Sequence, residues 1–152
     1  MTLPDHWPNL PRFGERLPGI HYTPRPGSYG VALDEGARRL CVVQLGDRFF
    51  LPGGGAEGDE TEAETLTREV REECARSVTL VRRLGAAVQY VLPRGEVAYA
   101  KVCAFYEVRL GEELATAPED EHVTLWMPTA QARERLSHES QRWALDLAID
   151  RR

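Results

Sequence analysis

The sequence GGGAEGDETEAETLTREVREECAR, residues 53–76, decides how this chain is organised. Four glycines near its start lead into a segment that is dense in carboxylates. Between residues 57 and 73 it carries eight acidic side chains against two arginines, a local charge of −6. The whole chain carries −5, which leaves +1 for the rest. The acidity of the chain is therefore concentrated in this one stretch.

The second part of the stretch has the pattern of an amphipathic helix. Its apolar side chains recur at i, i+3 and i+4 spacing and predict a stripe facing a core: Ala63, Leu66, Val70 and Cys74. Glu69, Glu72 and Glu73 cluster on an adjoining face. Like charges at this spacing repel, and hard divalent cations such as Mg²⁺ bind oxygen ligands of this kind. A solvated acidic face is the alternative for a generic run of glutamates.

The spacing of residues 54–73 resembles the signature of the Nudix hydrolases. Gly54 is followed after five residues by Glu60, and after seven more by Arg68-Glu69-Val70. One residue further on comes Glu72-Glu73. Every polar, glycine and apolar position of the signature matches up to this point, and this many fixed offsets favour a metal site over a solvated face.

The end of the predicted helix departs from the family pattern. The family usually has glycine where Ala75 stands and an apolar residue where Arg76 stands. Alanine in a left-handed helix cap costs about 1 kcal/mol relative to glycine. A helix that continued through Arg76 would instead place this cation favourably at its C-terminus. The sequence leaves both alternatives open, and neither concerns the expected metal ligands.

The resemblance implies a metal centre within the signature. Four groups would bind Mg²⁺, with Mn²⁺ as the alternative ion: the Gly53 carbonyl, Glu69, Glu72 and Glu73. The three glutamates would also be the catalytic carboxylates. Three further residues would hold the loop and helix in place: Gly54, Glu60 and Arg68.

The general base and the substrate contacts lie outside the signature. The family draws its base from different places; here Glu121 is the candidate, Glu119 and Asp120 are neighbouring substitutes, and simple solvation is the alternative. Candidate substrate-binding residues are a phosphate contact and three aromatic platforms for a nucleobase: Lys101, Tyr90, Tyr99 and Trp126. A solvated strand lysine and aromatic core packing are the alternatives for these four.

The remaining sequence predicts a mixed α/β fold of the α+β type. A capping box at Thr61-Glu62-Ala63-Glu64 predicts that the helix begins near Thr61. The apolar runs predict a hairpin, a second hairpin turning at 93–96, and a last strand before two helices, with strands at 29–33, 40–45, 78–92, 97–110 and 123–127. Strict βαβ alternation is missing, which favours a mixed sheet. The resemblance implies a mixed sheet sandwiched between α-helices, with the signature as a loop–helix–loop.

Proline content divides the chain into an arm, residues 1–27, and a Nudix hydrolase domain, residues 28–152. The arm contains six of the ten prolines, which fix φ and remove hydrogen-bond donors. Its apolar residues could attach it to the domain surface or to a partner subunit in a homodimer. A disordered leader is the alternative.

Composition indicates the cellular compartment and makes some classes of binding partner unexpected. Cys41, Cys74 and Cys103 are odd in number and widely spaced, which favours free thiols in a reducing compartment. The N-terminus has no signal-peptide pattern and no segment is apolar enough to span a membrane, so we expect a cytoplasmic protein without a membrane partner. A chain without a basic stripe is not expected to bind a nucleic acid polymer.

The resemblance implies a metal-dependent pyrophosphohydrolase that acts on a small nucleotide-type substrate. It would cleave a nucleoside diphosphate linked to another moiety, by attack of water on a phosphoric anhydride. The alternative is a Nudix-fold nucleotide-binding or regulatory module without activity. Retention of every expected carboxylate favours the enzyme.

Overall fold

The computed structural model describes residues 7–95, 97–118 and 122–152. After a short 3-10 turn, the described residues form eight strands in two sheets and three α-helices. The elements in chain order are β1 (Arg12–Phe13), β2 (Thr23–Val31), β3 (Arg39–Leu45), β4 (Arg48–Phe50), β5 (Gly53–Gly55), α1 (Glu62–Cys74), β6 (Arg76–Val91), β7 (Tyr99–Glu113), β8 (Val123–Pro128), α2 (Thr129–Arg135) and α3 (Glu139–Asp150). The predicted α+β class is confirmed.

The larger sheet has the strand order β1-β6-β7-β2-β5. β6 and β7 form a long antiparallel hairpin, as the two β-rich runs on either side of the turn at 93–96 predict. β2 pairs in parallel with β7 and antiparallel with β5, and β1 runs parallel to β6. The sheet is therefore mixed, as predicted.

The smaller sheet has the order β4-β3-β8, and it corrects one prediction. Residues 29–33 and 40–45 do not form a regular hairpin, because β2 and β3 belong to different sheets. A single bridge between Leu33 and Leu40 connects them. The physical reason is that both edges of β2 are already occupied, one by β5 and the other by β7.

Helices cover both faces of the larger sheet. Leu66 and Val70 of α1 pack with Val108 of β7, whereas Leu145 of α3 packs in the cluster that contains Phe105 of the same strand. Positions 105 and 108 are an odd number apart, so they face opposite sides of β7. The sheet therefore lies between helices, as predicted. The predicted core stripe of α1 is correct except for Ala63, which is exposed because it lies in the first turn.

The arm packs against the domain from Leu10 onwards. β1 pairs with β6, the Arg12 guanidinium donates to the Tyr90 hydroxyl at 2.6 Å, and Phe13 lies against Trp143 with ring centroids 5.8 Å apart. β2 begins at Thr23, so this strand includes the last residues of the predicted arm. Leu10, Phe13 and Ile20 of the arm thus pack against the domain.

Two compositional expectations can be compared with this fold. The cysteines Cys41, Cys74 and Cys103 are buried and free, as predicted. Within the described ranges, no helix has both the length and the apolar character that crossing a membrane requires.

Candidate active site

The helix that carries the acidic cluster begins where the sequence predicts. Thr61 is its N-cap: the Thr61 hydroxyl accepts a hydrogen bond from the Glu64 amide, and the Thr61 amide donates to the Glu64 carboxylate, both at 3.1 Å. This reciprocal pair satisfies two backbone donors that a helix start otherwise leaves open. It fixes where α1 begins, and so which side chains face the glycine loop.

The same helix ends at Cys74 with a left-handed residue. Ala75 has φ 53° and ψ 41°, and its amide donates to the Arg71 carbonyl at 3.0 Å. The alternative in which the helix continues through Arg76 is therefore wrong. Arg76 instead begins β6, and its guanidinium donates to the Gly111 carbonyl at 2.7 Å, so pairing within the hairpin ends the helix.

We expect Ala75→Gly to stabilise the protein by up to about 1 kcal/mol, since glycine adopts the left-handed conformation without a Cβ penalty. Ala63→Gly is the matched control. It makes the same change in the first turn of α1 and should destabilise by up to about 1 kcal/mol. Unfolding in urea measures both, and a loss of stability at both positions would contradict the prediction.

Arg68 connects the helix to the glycine loop. Its guanidinium donates to the Glu60 carboxylate at 2.7 Å and to the Gly55 carbonyl at 2.9 Å. The same group contacts Glu69 at 3.0 Å and Glu72 at 3.1 Å. The hydrogen bonds from Arg68 lower the pKa of Glu60 to about 2. One largely buried cation thus holds the loop and two acids of the cluster together.

Glu73 is the most buried carboxylate of the cluster, with 9% of its surface exposed. One oxygen accepts a hydrogen bond from the Gly53 amide at 2.8 Å, and the other lies 3.7 Å from the His122 imidazole. Burial raises the pKa of Glu73 to about 9, against the effect of the Gly53 hydrogen bond, and the charge of Glu69 adds to the rise. A buried carboxylate that is costly to ionise alone is suited to a cation.

Glu69 packs directly onto the loop. A Cβ added at Gly54 would lie 2.5 Å from a carboxylate oxygen of Glu69, so a larger residue at 54 would force the Glu69 carboxylate to move. Burial raises the pKa of Glu69, and the contact with Arg68 opposes this shift. The glycine loop is therefore shaped around a carboxylate.

The carboxylates fit a divalent metal by their chemistry, although they are not arranged around one point. In residues 7–95, 97–118 and 122–152, no three acidic, histidine or cysteine side chains are grouped as a metal site requires. Arg68 holds Glu69 and Glu72, whereas Glu73 turns to the Gly53 amide. Of these three carboxylates, Arg68 contacts two, and among the described residues Glu73 forms no ion pair with an arginine, so negative charge remains in excess, which suits Mg²⁺ or Mn²⁺.

A cavity of about 210 Å³ lies beside the glycine loop. Its lining includes Glu73 and the glycine loop together with Arg25, Lys101 and His138. Arg25 and Lys101 are register partners on the parallel strands β2 and β7. The cavity therefore combines a carboxylate with basic side chains. This combination suits a phosphate-containing ligand that is bound through a metal ion.

The structure brings together some of the predicted substrate contacts. Lys101 lines this cavity and a second one next to it, and Tyr90 and Tyr99 line the second. Trp126 lies apart on β8, beside a different cavity that Ala75 also lines. Glu121, with its substitutes at 119 and 120, lies outside the described residues.

Three arginine or histidine side chains that line the cavity have no counterpart among the predicted site residues: Arg25, His122 and His138. Arg25 lies between two prolines of the arm, a context that indicates no site. Only the parallel pairing of β2 with β7 brings it beside Lys101. No local pattern in the sequence identifies these three residues.

His138 is buried directly before α3. Its ring packs edge-on against Phe50, with centroids 5.2 Å apart. Burial lowers the pKa of His138 to about 4, and the charges of Lys101, Arg48 and Arg142 act in the same direction. The imidazole is therefore neutral near neutral pH.

We expect His138→Asn to make stability less sensitive to acid. The folded protein binds this proton with a pKa of about 4, and the unfolded chain with a pKa of 6.5. Above its pKa in the unfolded chain, neutral His138 contributes as much as roughly 3 kcal/mol to the free energy of unfolding. This contribution is lost as the pH falls through its pKa in the folded protein. Urea unfolding between about pH 7 and pH 4 measures this loss. The exposed His21→Asn is the control, and equal pH dependence in the two variants would refute the assignment.

Comparison with known proteins agrees with this geometry. The NUDIX domain family matches residues 24–147. A NUDIX hydrolase from Nitrosomonas europaea superposes with a TM-score of 0.70 at 13% identity, over 84% of this chain and 90% of that one. An ADP-ribose pyrophosphatase from Streptococcus suis superposes with a TM-score of 0.61 at 21% identity, over 86% and 94% of the two chains.

A third solved structure, the dihydroneopterin triphosphate pyrophosphohydrolase of E. coli, has a TM-score of 0.58 at 16% identity, over 82% of this chain and 94% of that one. No curated protein matches the sequence significantly. Identities this low show a shared fold and not a shared substrate. The domain match spans most of the chain and includes the acidic helix and the cavity beside it, so this protein belongs to the NUDIX family.

Proposed function

We propose that this protein is a divalent-metal-dependent pyrophosphohydrolase. It would cleave a nucleoside diphosphate linked to another moiety, in the cytoplasm, by attack of water on the phosphoric anhydride. One juxtaposition supports the proposal: Glu69 and Glu73 lie against the glycine loop, beside a cavity that Arg25 and Lys101 also line. Anhydride hydrolysis needs this combination of metal ligands and phosphate-binding cations.

The acidic and the basic residues of the site would have different roles. Mg²⁺ held by the three glutamates and the Gly53 carbonyl would neutralise phosphate oxygens and lower the pKa of a bound water. Arg25 and Lys101 would bind the phosphate oxygens that face away from the carboxylates. Arg68 would keep the loop and α1 in register, and Glu121 would take the proton of the attacking water.

A hydrolysis assay tests the proposal. A panel of nucleoside triphosphates, dinucleotides and nucleotide sugars is incubated with Mg²⁺, with Mn²⁺ and with EDTA, and the products are separated by chromatography. We expect at least one compound to be split at its anhydride with either metal and not with EDTA. No turnover of any compound with either metal would contradict the proposal.

One observation favours the second candidate, a nucleotide-binding module without activity. Arg68 already contacts Glu69 and Glu72 at 3.0 and 3.1 Å, so their charge is partly compensated without a metal. Calorimetric titration with Mg²⁺ separates the two functions. The enzyme should bind the ion measurably in the presence of a nucleotide, whereas the module should bind the nucleotide equally well with or without it.

A further inference from the structure

The cleft extends beyond the cavity that Glu73 lines. A second cavity, of about 460 Å³, adjoins the first, and the two share Arg25, Phe50, Lys101 and His138 as lining residues. We propose that this second cavity, the distal groove, binds a phosphomonoester that the substrate carries beyond its scissile anhydride. This inference rests on the proposed function and narrows its substrate class.

The distal groove carries an excess of positive charge without acidic partners. Arg25, Arg48 and Lys101 all line the distal groove, and none of the three forms an ion pair with another described residue. Among the described residues that line the groove, the one carboxylate is that of Glu139, an exposed side chain. Three cations near one another repel, and an anion between them would relieve this repulsion.

Lys101 is the most enclosed of these three cations. Its side chain is only partly exposed, and burial lowers its pKa, with Arg25 and Arg48 acting in the same direction. A largely desolvated ammonium without an acceptor is unfavourable. Among the residues that the structure describes, none supplies that acceptor, which points to a bound anion.

Aromatic rings hold Arg25 and Arg48 in place. The guanidinium of Arg25 lies 5.2 Å from the centroid of Tyr99, and that of Arg48 lies 5.1 Å from the centroid of Phe50. Cation–π contacts restrict the guanidinium planes without using up their hydrogen-bond donors. Such arginines are preorganised for bidentate contacts with an oxyanion.

Position and charge together favour a distal phosphomonoester over the anhydride itself. Arg48 and Arg142 line the second cavity and not the first, so they lie away from the carboxylates that would hold the metal. A phosphomonoester carries about −1.5 to −2 charges near neutral pH. Four cations line the groove, and Arg48 and Arg142 remain for this charge when Arg25 and Lys101, which line both cavities, bind the anhydride.

Matched substrate pairs that differ only in one phosphomonoester test the inference. NADH with NADPH and dephospho-coenzyme A with coenzyme A are two such pairs. In at least one pair, we expect the wild type to prefer the phosphorylated member by about tenfold or more in kcat/KM, the effect of a charge-assisted hydrogen-bonded contact. Equal values within both pairs would overturn the proposal.

Variants locate the preference in the groove. Arg48 is exposed, so Arg48→Gln should fold, and it should remove most of the preference, while Arg48→Lys should retain an intermediate part of it. Arg39→Gln, an exposed arginine of β3 outside both cavities, should keep the wild-type ratio. An unchanged ratio in Arg48→Gln would contradict the assignment.

Calorimetric binding of the same pairs separates the two proposals. If no compound is hydrolysed, the proposed function fails. The distal groove would still be supported if the wild type binds the phosphorylated member of a pair more tightly and Arg48→Gln does not. If hydrolysis occurs without any preference in Kd or kcat/KM, only the distal groove fails.

Discussion

Glu73→Gln should abolish most metal-dependent turnover and leave the fold intact. Glutamine has nearly the same shape, and its amide oxygen can still accept the hydrogen bond that the Gly53 amide makes at 2.8 Å. It lacks the charge and the second anionic oxygen that a divalent metal requires. Mutation of residues that merely support a metal ligand costs about 10–100-fold, so loss of a ligand should cost more than about 100-fold in kcat at saturating Mg²⁺.

The control for this substitution lies on the same helix. Glu64→Gln also removes one negative charge from α1, but Glu64 belongs to the capping box, in which glutamine serves as well as glutamate. Its turnover should therefore equal that of the wild type. Wild-type turnover in Glu73→Gln with added Mg²⁺ would show that Glu73 is not a ligand.

The same variant should be more stable than the wild type when EDTA removes metals. The pKa of Glu73 is raised to about 9 in the folded protein from 4.5 in the unfolded chain. Stability that is present below the unfolded pKa is therefore lost as the pH rises towards the folded pKa. Glutamine does not titrate, so its advantage in melting temperature should grow between about pH 5 and pH 9. An advantage independent of pH would contradict this explanation.

Sequence predicts best the features that depend on neighbours along the chain. The start of α1 follows from Thr61 and Glu64, which are three residues apart and bond to each other directly. Fixed helical spacing likewise places Glu72, four residues further on, beside Arg68. The sequence does not determine where α1 ends, because an alanine at position 75 is compatible both with a continued helix and with a strained left-handed cap.

Features that depend on pairing between distant strands could not be predicted in this way. The turn residues at 34–36 indicate a hairpin, but they contain no information that β5 and β7 occupy both edges of β2. The same pairing brings Arg25 beside Lys101. The basic side chains of the cleft are thus brought together by strand pairing, whereas the acidic side chains are brought together by helical periodicity.

Glu121→Gln should lower kcat far more than it changes KM. We propose Glu121 as the general base, and loss of such a group typically costs about 10²–10⁴-fold. Glu121 itself lies outside the described residues. The supporting observation concerns the residue that follows it, since the imidazole of His122 lies 3.7 Å from the carboxylate of Glu73. The chain after Glu121 thus enters the site next to the expected metal ligands.

The comparison that decides the role of Glu121 uses an acid from the same acidic stretch. Glu119→Gln removes the same charge two residues earlier, so it reproduces any general electrostatic effect on substrate binding. An interaction made mainly in the transition state lowers kcat and kcat/KM together, whereas lost ground-state binding raises KM alone. Steady-state kinetics of both variants at saturating Mg²⁺ therefore separate catalysis from simple charge. Equal and small effects at the two positions would exclude Glu121 as the base and direct the search to Glu69, the carboxylate that packs against Gly54.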